Sequence, residues 1–174
     1  MWDFFATVRN RHSIRKYQSD MTVEDEKLHA ILEMASAAPS AGDLQSYGIM
    51  VVRNADLRHK LASIAENQQF ISEAPVCLVF YTDPLRANKE FGERGKQLYA
   101  IQDATIAAAY AQLAAVAAGL GSTWVGHFDE QQVQSALEMD ETHTPIALLS
   151  LGYPAELPEA TSRRQINDIA IFKD

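Results

Sequence analysis

The sequence predicts a mixed helix-and-strand domain whose sheet is covered by helices on both faces. Three observations carry this expectation. Residues 74–81 and 145–151 are continuous apolar runs, the pattern of strands that face no water on either side. Apolar residues at helical spacing recur between these runs, at Leu28, Ile31, Leu32 and Ala35 and again at Leu57, Leu61 and Ile64, so helices separate the strands. Between the runs also lies a stretch with almost no polar face: nine of the fifteen residues 104–118 are alanine. Alanine loses no side-chain entropy in a helix, and a helix apolar all round belongs in the interior. Alternation of elements with well-separated strands suits a layered fold, but strand order does not follow from it.

Taken in order, residues 2–9 read as a helix with Trp2, Phe5 and Val8 on one side. Residues 9–16 then hold four permanent cations, Arg9, Arg11, Arg15 and Lys16, in an acidic chain. If this piece is extended, Arg11, Ser13 and Arg15 point the same way. Two guanidinium forks and a hydroxyl so placed suit a phosphate ester; a solvated basic turn is the other reading. Thr22 is an N-cap candidate with Asp25 at the capping-box position. The helix it opens should stop near Ala38, because Pro39 disfavours helical backbone in the residue before it. Residues 39–46 form a loop of small and polar residues, followed by a strand over Tyr47–Val52. A helix over 56–66 follows, then Asn67, Gln68 and Gln69. Residues 83–97, charged and carrying Gly92 and Gly95, read as a mobile surface segment with room for a helical piece. Asp103 can cap the alanine-rich helix, and Gly119 and Gly121 stop it. Asp129 caps a helix over 130–138, and the apolar run from Pro145 closes in a turn at Tyr153-Pro154. The tail carries Arg163 and Arg164, then Ile166, Ile169, Ile171 and Phe172, an apolar set that needs a partner surface.

The 174 residues suit one domain, 1–174. A net charge of −8 argues against a general nucleic-acid or anionic-membrane binder, so any phosphate recognition must be local. No stretch is long and apolar enough for a confident membrane span. The first residues lack the apolar core of a signal peptide, and the single Cys77 cannot form an internal disulfide, so a reducing cytoplasm is expected.

Several chemistries lack their residues. Gly119-Leu120-Gly121-Ser122-Thr123-Trp124 follows a helix and has tryptophan at the third glycine position, so it is not a dinucleotide fingerprint. His12, His29, His59, His127 and His143 show no metal spacing, and no metal is expected. There is no nucleophile elbow and no conspicuous carboxylate pair. A phosphate-type site without a catalytic constellation suits an enzyme whose organic cofactor carries the chemistry.

Four segments, in order, resemble the FMN-dependent nitroreductase superfamily. They are the opening Arg11 to Tyr17; Ala38-Pro39-Ser40-Ala41-Gly42-Asp43-Leu44-Gln45; the alanine-rich helix running into Gly119-Leu120-Gly121 and Trp124-Val125-Gly126; and Gly152-Tyr153-Pro154 followed by Arg163-Arg164. The resemblance spans essentially the whole chain. It implies an α+β fold with a central mixed, mostly antiparallel sheet sandwiched by helices, and an intertwined homodimer with exchanged C-terminal tails and FMN at the subunit interface. It implies that Arg11, His12, Ser13 and Arg15 contact FMN, with Arg163 or Arg164 adding a phosphate cation. Pro39, Ser40, Ala41 and Asp43 would reach FMN from the other subunit, Asn67 would bond the flavin ring, and Trp124, Val125 and Gly126 would lie along it. No side chain need be catalytic: NAD(P)H would give a hydride to FMN N5, and a nitroaromatic, quinone or similar acceptor would then take two electrons. Specialised flavin chemistry on the same fold (dehalogenation or flavin fragmentation) and a non-catalytic FMN sensor or store are the alternatives.

Overall fold

The computed structural model describes residues 3–173. The elements are α1 (Phe4–Asn10), α2 (Asp25–Ser36), β1 (Tyr47–Val52), α3 (Ala55–Ile64), α4 (Phe70–Glu73), β2 (Val76–Thr82), α5 (Pro84–Arg94), α6 (Ala100–Ala117), β3 (Gly121–Val125), α7 (Glu130–Ala136) and β4 (Thr144–Gly152). The helix expected over 2–9 appears as α1, with Trp2 outside the described residues.

The sheet runs β1-β2-β4-β3, every neighbour antiparallel. One parallel contact joins it from outside, an isolated bridge between Ser13 and Ser122. The period of two in a strand divides β2 between two cores. Val76, Leu78 and Phe80 meet α2 and α6 through Ile31, Ala35, Ala107, Ala108 and Ala111. Cys77 and Val79 point the other way, into a core with Leu61, Ala62 and Val133 from α3 and α7. The sheet is therefore sandwiched, and the alanines of α6 bring its backbone close to the strands and to α2.

Three local readings are corrected. Thr22 caps nothing: Glu24 occupies the N-cap of α2 and makes no side-chain cap bond, so the acidic first turn of Asp25 and Glu26 favours the helix through its dipole alone. Residues 83–97 are ordered helix rather than a mobile segment. Asp83 accepts from the Arg86 N–H and Pro84 sits in the first turn of α5, a strong start signal. The expected breaker Gly92, at φ 58°, only kinks the helix, which passes through a π-helical turn, Gly95–Tyr99, into α6. Finally, Asp103 lies inside α6 and is buried, so it cannot cap that helix.

Two buried acids of another kind tie the fold to pH. Burial pushes the Cys77 thiol up from 9.0 to about 12, and burial likewise raises the Tyr17 phenol despite its hydrogen bond to Ser150. Both stay protonated in the folded chain and ionise more easily when unfolded. Their stabilisation is whole below the unfolded values and is lost as pH rises past them. Resistance to urea should therefore fall progressively above about pH 9, and Cys77 should resist a thiol reagent at pH 8 until denaturant is added. Rapid labelling of native protein would contradict this burial.

Candidate functional site

The basic segment is extended, one of the two readings the sequence left open, and is stitched to the open edge of β3. Ile14 N–H donates to the Ser122 carbonyl at 3.1 Å, and the Thr123 hydroxyl donates to the Ile14 carbonyl. Ile14 turns inward, buried with Tyr17 and Ala74. The alternation of an extended chain then sends Ser13 and Arg15 outward. The Tyr17 hydroxyl locks the far end, donating to the Ile14 carbonyl at 2.8 Å and sharing a hydrogen bond with the Ser150 hydroxyl at 2.7 Å. Neither Arg11 nor Arg15 forms an ion pair among the described residues. The Arg15 guanidinium lies 5.9 Å from the centroid of the Phe70 ring, while its backbone N–H donates to Glu156 Oε1 at 2.7 Å. His12 lines a cleft of about 360 Å³ with Asn10, Ile14 and Gly121. Beside Ser13, the Ser122 hydroxyl is buried without a partner.

Asn67 joins this side of the molecule. Glu66 and Asn67 both take left-handed backbone, φ 56° and 57°, a conformation that asparagine tolerates better than most residues. The turn faces the exit of β3, where His127 Nε2 approaches Glu66 Oε1 at 3.9 Å. Trp124 and Val125 belong to β3 itself, paired with Leu149 and Leu148. The strand was not anticipated. Val125 is buried in the α3–α7 core, Trp124 packs half-buried on the α2–α6 core, and Gly126 follows exposed on the edge.

Pro39, Ser40, Ala41 and Asp43 stand elsewhere. Their loop includes a 3-10 turn, Ala41–Asp43, and has left-handed backbone at Gly42, Asp43 and Gln45. Such backbone at a residue with a side chain costs about 1–2 kcal/mol. Aspartate, like asparagine, bears it comparatively well. What holds the loop is Asp103. Its Oδ1 accepts from the Ala41 N–H at 2.9 Å and its Oδ2 from the Ser46 N–H at 3.2 Å. A carboxylate at the head of an apolar helix was the signal in the sequence, since a buried charge requires partners. Next to the loop opens a cavity of about 510 Å³, lined by Pro39, Ser40, Ala41, Tyr99 and Ile106 among others.

These groups do not meet in one chain. The basic segment flanks β3, one edge of the sheet, while the loop feeds β1, the other edge. Three strand spacings of about 4.8 Å separate the edges. The loop also lies at the end where Tyr47 pairs with Thr82, and Ser13 at the end where Gly121 pairs with Gly152. Arg163 and Arg164 join neither group. They lie on an exposed tail, where Arg163 donates to the Thr161 hydroxyl and Arg164 to the Asp168 carbonyl.

A family model decides what this arrangement is: the Nitroreductase family matches residues 8–70 and 62–153. The chain belongs to the nitroreductase family. Relatives of this nitroreductase-family chain include a Thermus thermophilus protein named NADH dehydrogenase, 30% identical over 190 residues, covering 94% of this chain and 92% of that one. The solved NADPH:FMN oxidoreductase from Vibrio harveyi, complexed with NAD+, matches with a TM-score of 0.89 and 27% identity, over 98% of this chain and 76% of that one. An FMN-dependent nitroreductase from Clostridium difficile matches with a TM-score of 0.83 and 26% identity, over 98% and 99%. No helix of the described nitroreductase-family chain is long and apolar enough to cross a membrane.

Proposed function

We propose that the chain, as a single domain, is an NAD(P)H-dependent FMN oxidoreductase that reduces electron-poor acceptors such as nitroaromatics and quinones. The observation that carries this reading is the donor set along β3. Two arginines without ion-pair partners, the Ser13 hydroxyl and the orphaned Ser122 hydroxyl sit together in a chain of net charge −8. That set fits the phosphate and ribityl hydroxyls of FMN. Bound FMN supplies hydride exchange at N5 when NAD(P)H reduces it. This chain binds and orients: Arg11 and Arg15 neutralise the phosphate, Asn67 donates to the ring, and the edge backbone at Gly126 offers amides where the reduced ring gathers electron density. No side chain of the site need move a proton.

The separation of the two groups supports a homodimer, in which the loop of one protomer closes over the basic segment of another. Exposed Phe4, Phe5, Met34 and Tyr110 and the bare apolar tail, with Phe172 78% exposed, are surface that such a partner would cover. In the dimer Arg163 or Arg164 would complete the phosphate site. The free thiol and the nicotinamide donor fit a reducing cytoplasm.

The deciding experiment is anaerobic mixing of the FMN-loaded protein with NADH and with NADPH. At least one should bleach the bound flavin rapidly, and a quinone or nitroaromatic should restore the colour. Bleaching by dithionite alone would end the reductase reading and leave a flavin-binding module. Arg15→Ala should weaken FMN binding by about 1.5–3 kcal/mol, the contribution of a hydrogen bond to a charged group. Isothermal titration of FMN into apoprotein measures it, and an unchanged affinity would remove Arg15 from the site.

A further inference from the structure

At the end of β1 remote from the loop, α3 and the start of β2 enclose a second polar cleft of about 370 Å³, lined by Ser19, Thr22, Arg53, Arg58 and Glu73 among others. None of these residues belongs to the flavin site. Arg58 is anchored: one Nη donates to the Arg53 carbonyl, and its Nε is buried with no hydrogen-bond partner. A buried donor left unmade is the costly case. Among the described residues no carboxylate pairs with it. Asp25 is taken by Arg53 at 2.5 Å, and Glu73, though it lines the cleft, forms no ion pair with Arg58. Cys77 beneath stays a neutral thiol. Burial holds the Arg58 guanidinium below its ordinary pKa, the mark of a cation short of counter-charge. Thr22, released from any capping role, lines the same cleft.

We infer that this cleft binds a small oxyanion, a carboxylate or a singly charged phosphate monoester, with Arg58 as the principal ligand and the Thr22 and Ser19 hydroxyls beside it. The planar guanidinium fork matches either group in two-point contact. Glu73 limits the charge: its carboxylate repels a polyanion, so a monoanion is selected. The inference does not rest on the flavin reading, because the cleft shares no residue with that site.

The test uses FMN-saturated protein, so that added phosphate cannot enter the flavin site, at ionic strength held constant with sodium chloride. Inorganic phosphate at pH 6 and acetate are titrated separately, following the Thr22 backbone amide and the Arg58 Nε–H by NMR. One or both anions should shift these signals along a saturating curve, and the comparison of arms names the preferred group. Arg58→Met, which keeps the stem, should weaken the Thr22 response at least tenfold, and Glu73→Gln should tighten it severalfold. Thr22→Val, at an exposed position, should weaken binding severalfold and serves if Arg58→Met does not fold. No saturation in either arm, or curves unchanged in Arg58→Met or in Thr22→Val, would overturn the proposal.

Discussion

Asp103→Ala should unfold more readily by about 3–5 kcal/mol and should also loosen FMN. Each carboxylate oxygen holds one backbone N–H, Ala41 at 2.9 Å and Ser46 at 3.2 Å. Hydrogen bonds to a charged group contribute about 1.5–3 kcal/mol apiece. Ser46 is fully buried, so its amide would find no water in exchange. The substitution acts on a loop already carrying left-handed backbone at Asp43 and Gln45, which reverts to ordinary conformations when released. Asp103→Asn is the sharper probe: its amide can accept through one atom only and presents N–H₂ to an N–H. Urea unfolding of apoprotein measures the first effect and FMN titration the second. A midpoint unchanged in both variants would mean the loop is held by its other bonds, such as Gln45 Nε2 to the Ser36 carbonyl at 2.8 Å.

Gly121→Val should cost about 3 kcal/mol or more, the upper range for overpacking, and should abolish tight FMN binding. A Cβ at Gly121 would stand 2.6 Å from Ile14 Cγ1 and 2.9 Å from Ile14 Cβ. Ile14 cannot yield, because its N–H and carbonyl are both bonded to β3 and its side chain is buried. The strand must therefore shed the basic segment, and Arg11, Ser13 and Arg15 lose their alignment together. Gly121→Ala should show the same pattern in smaller measure. Native-like FMN affinity in Gly121→Val would show that the segment is placed by something other than β3. Circular dichroism with FMN titration reads both consequences.

The layered fold was legible because burial writes itself into apolar periodicity. The two-sided strand β2, the capped helix α7 and the all-apolar α6 each follow from the spacing of a few residues. β3 was not legible. Its five residues, Gly121–Val125, begin directly after a helix stop and alternate too briefly to declare a strand. Residues 83–97 misled because their glycines look like breakers, whereas Asp83 and Pro84, a cap and a first-turn proline, were the better evidence. Asp103 misled for a related reason: a lone acid near the head of an alanine run resembles a cap until the helix is seen to begin at Ala100. The basic segment was readable as a phosphate-type cluster, but the distance between it and the loop at Pro39 was not. That distance depends on strand order, which local patterns do not encode.

The placement of those two groups on opposite edges of one sheet has a consequence in solution. In the proposed homodimer, a site completed by a second copy would make cofactor retention a matter of mass action. Dilution would then separate protomers and, with them, the halves that grip the ligand, so apparent FMN affinity should fall as protein concentration falls. Linkage works equally in the other direction: by whatever factor pairing tightens FMN, FMN tightens pairing. In such a dimer the flavin would be as much a subunit glue as a reagent, and its loss and the parting of the chains would be a single equilibrium observed from two sides.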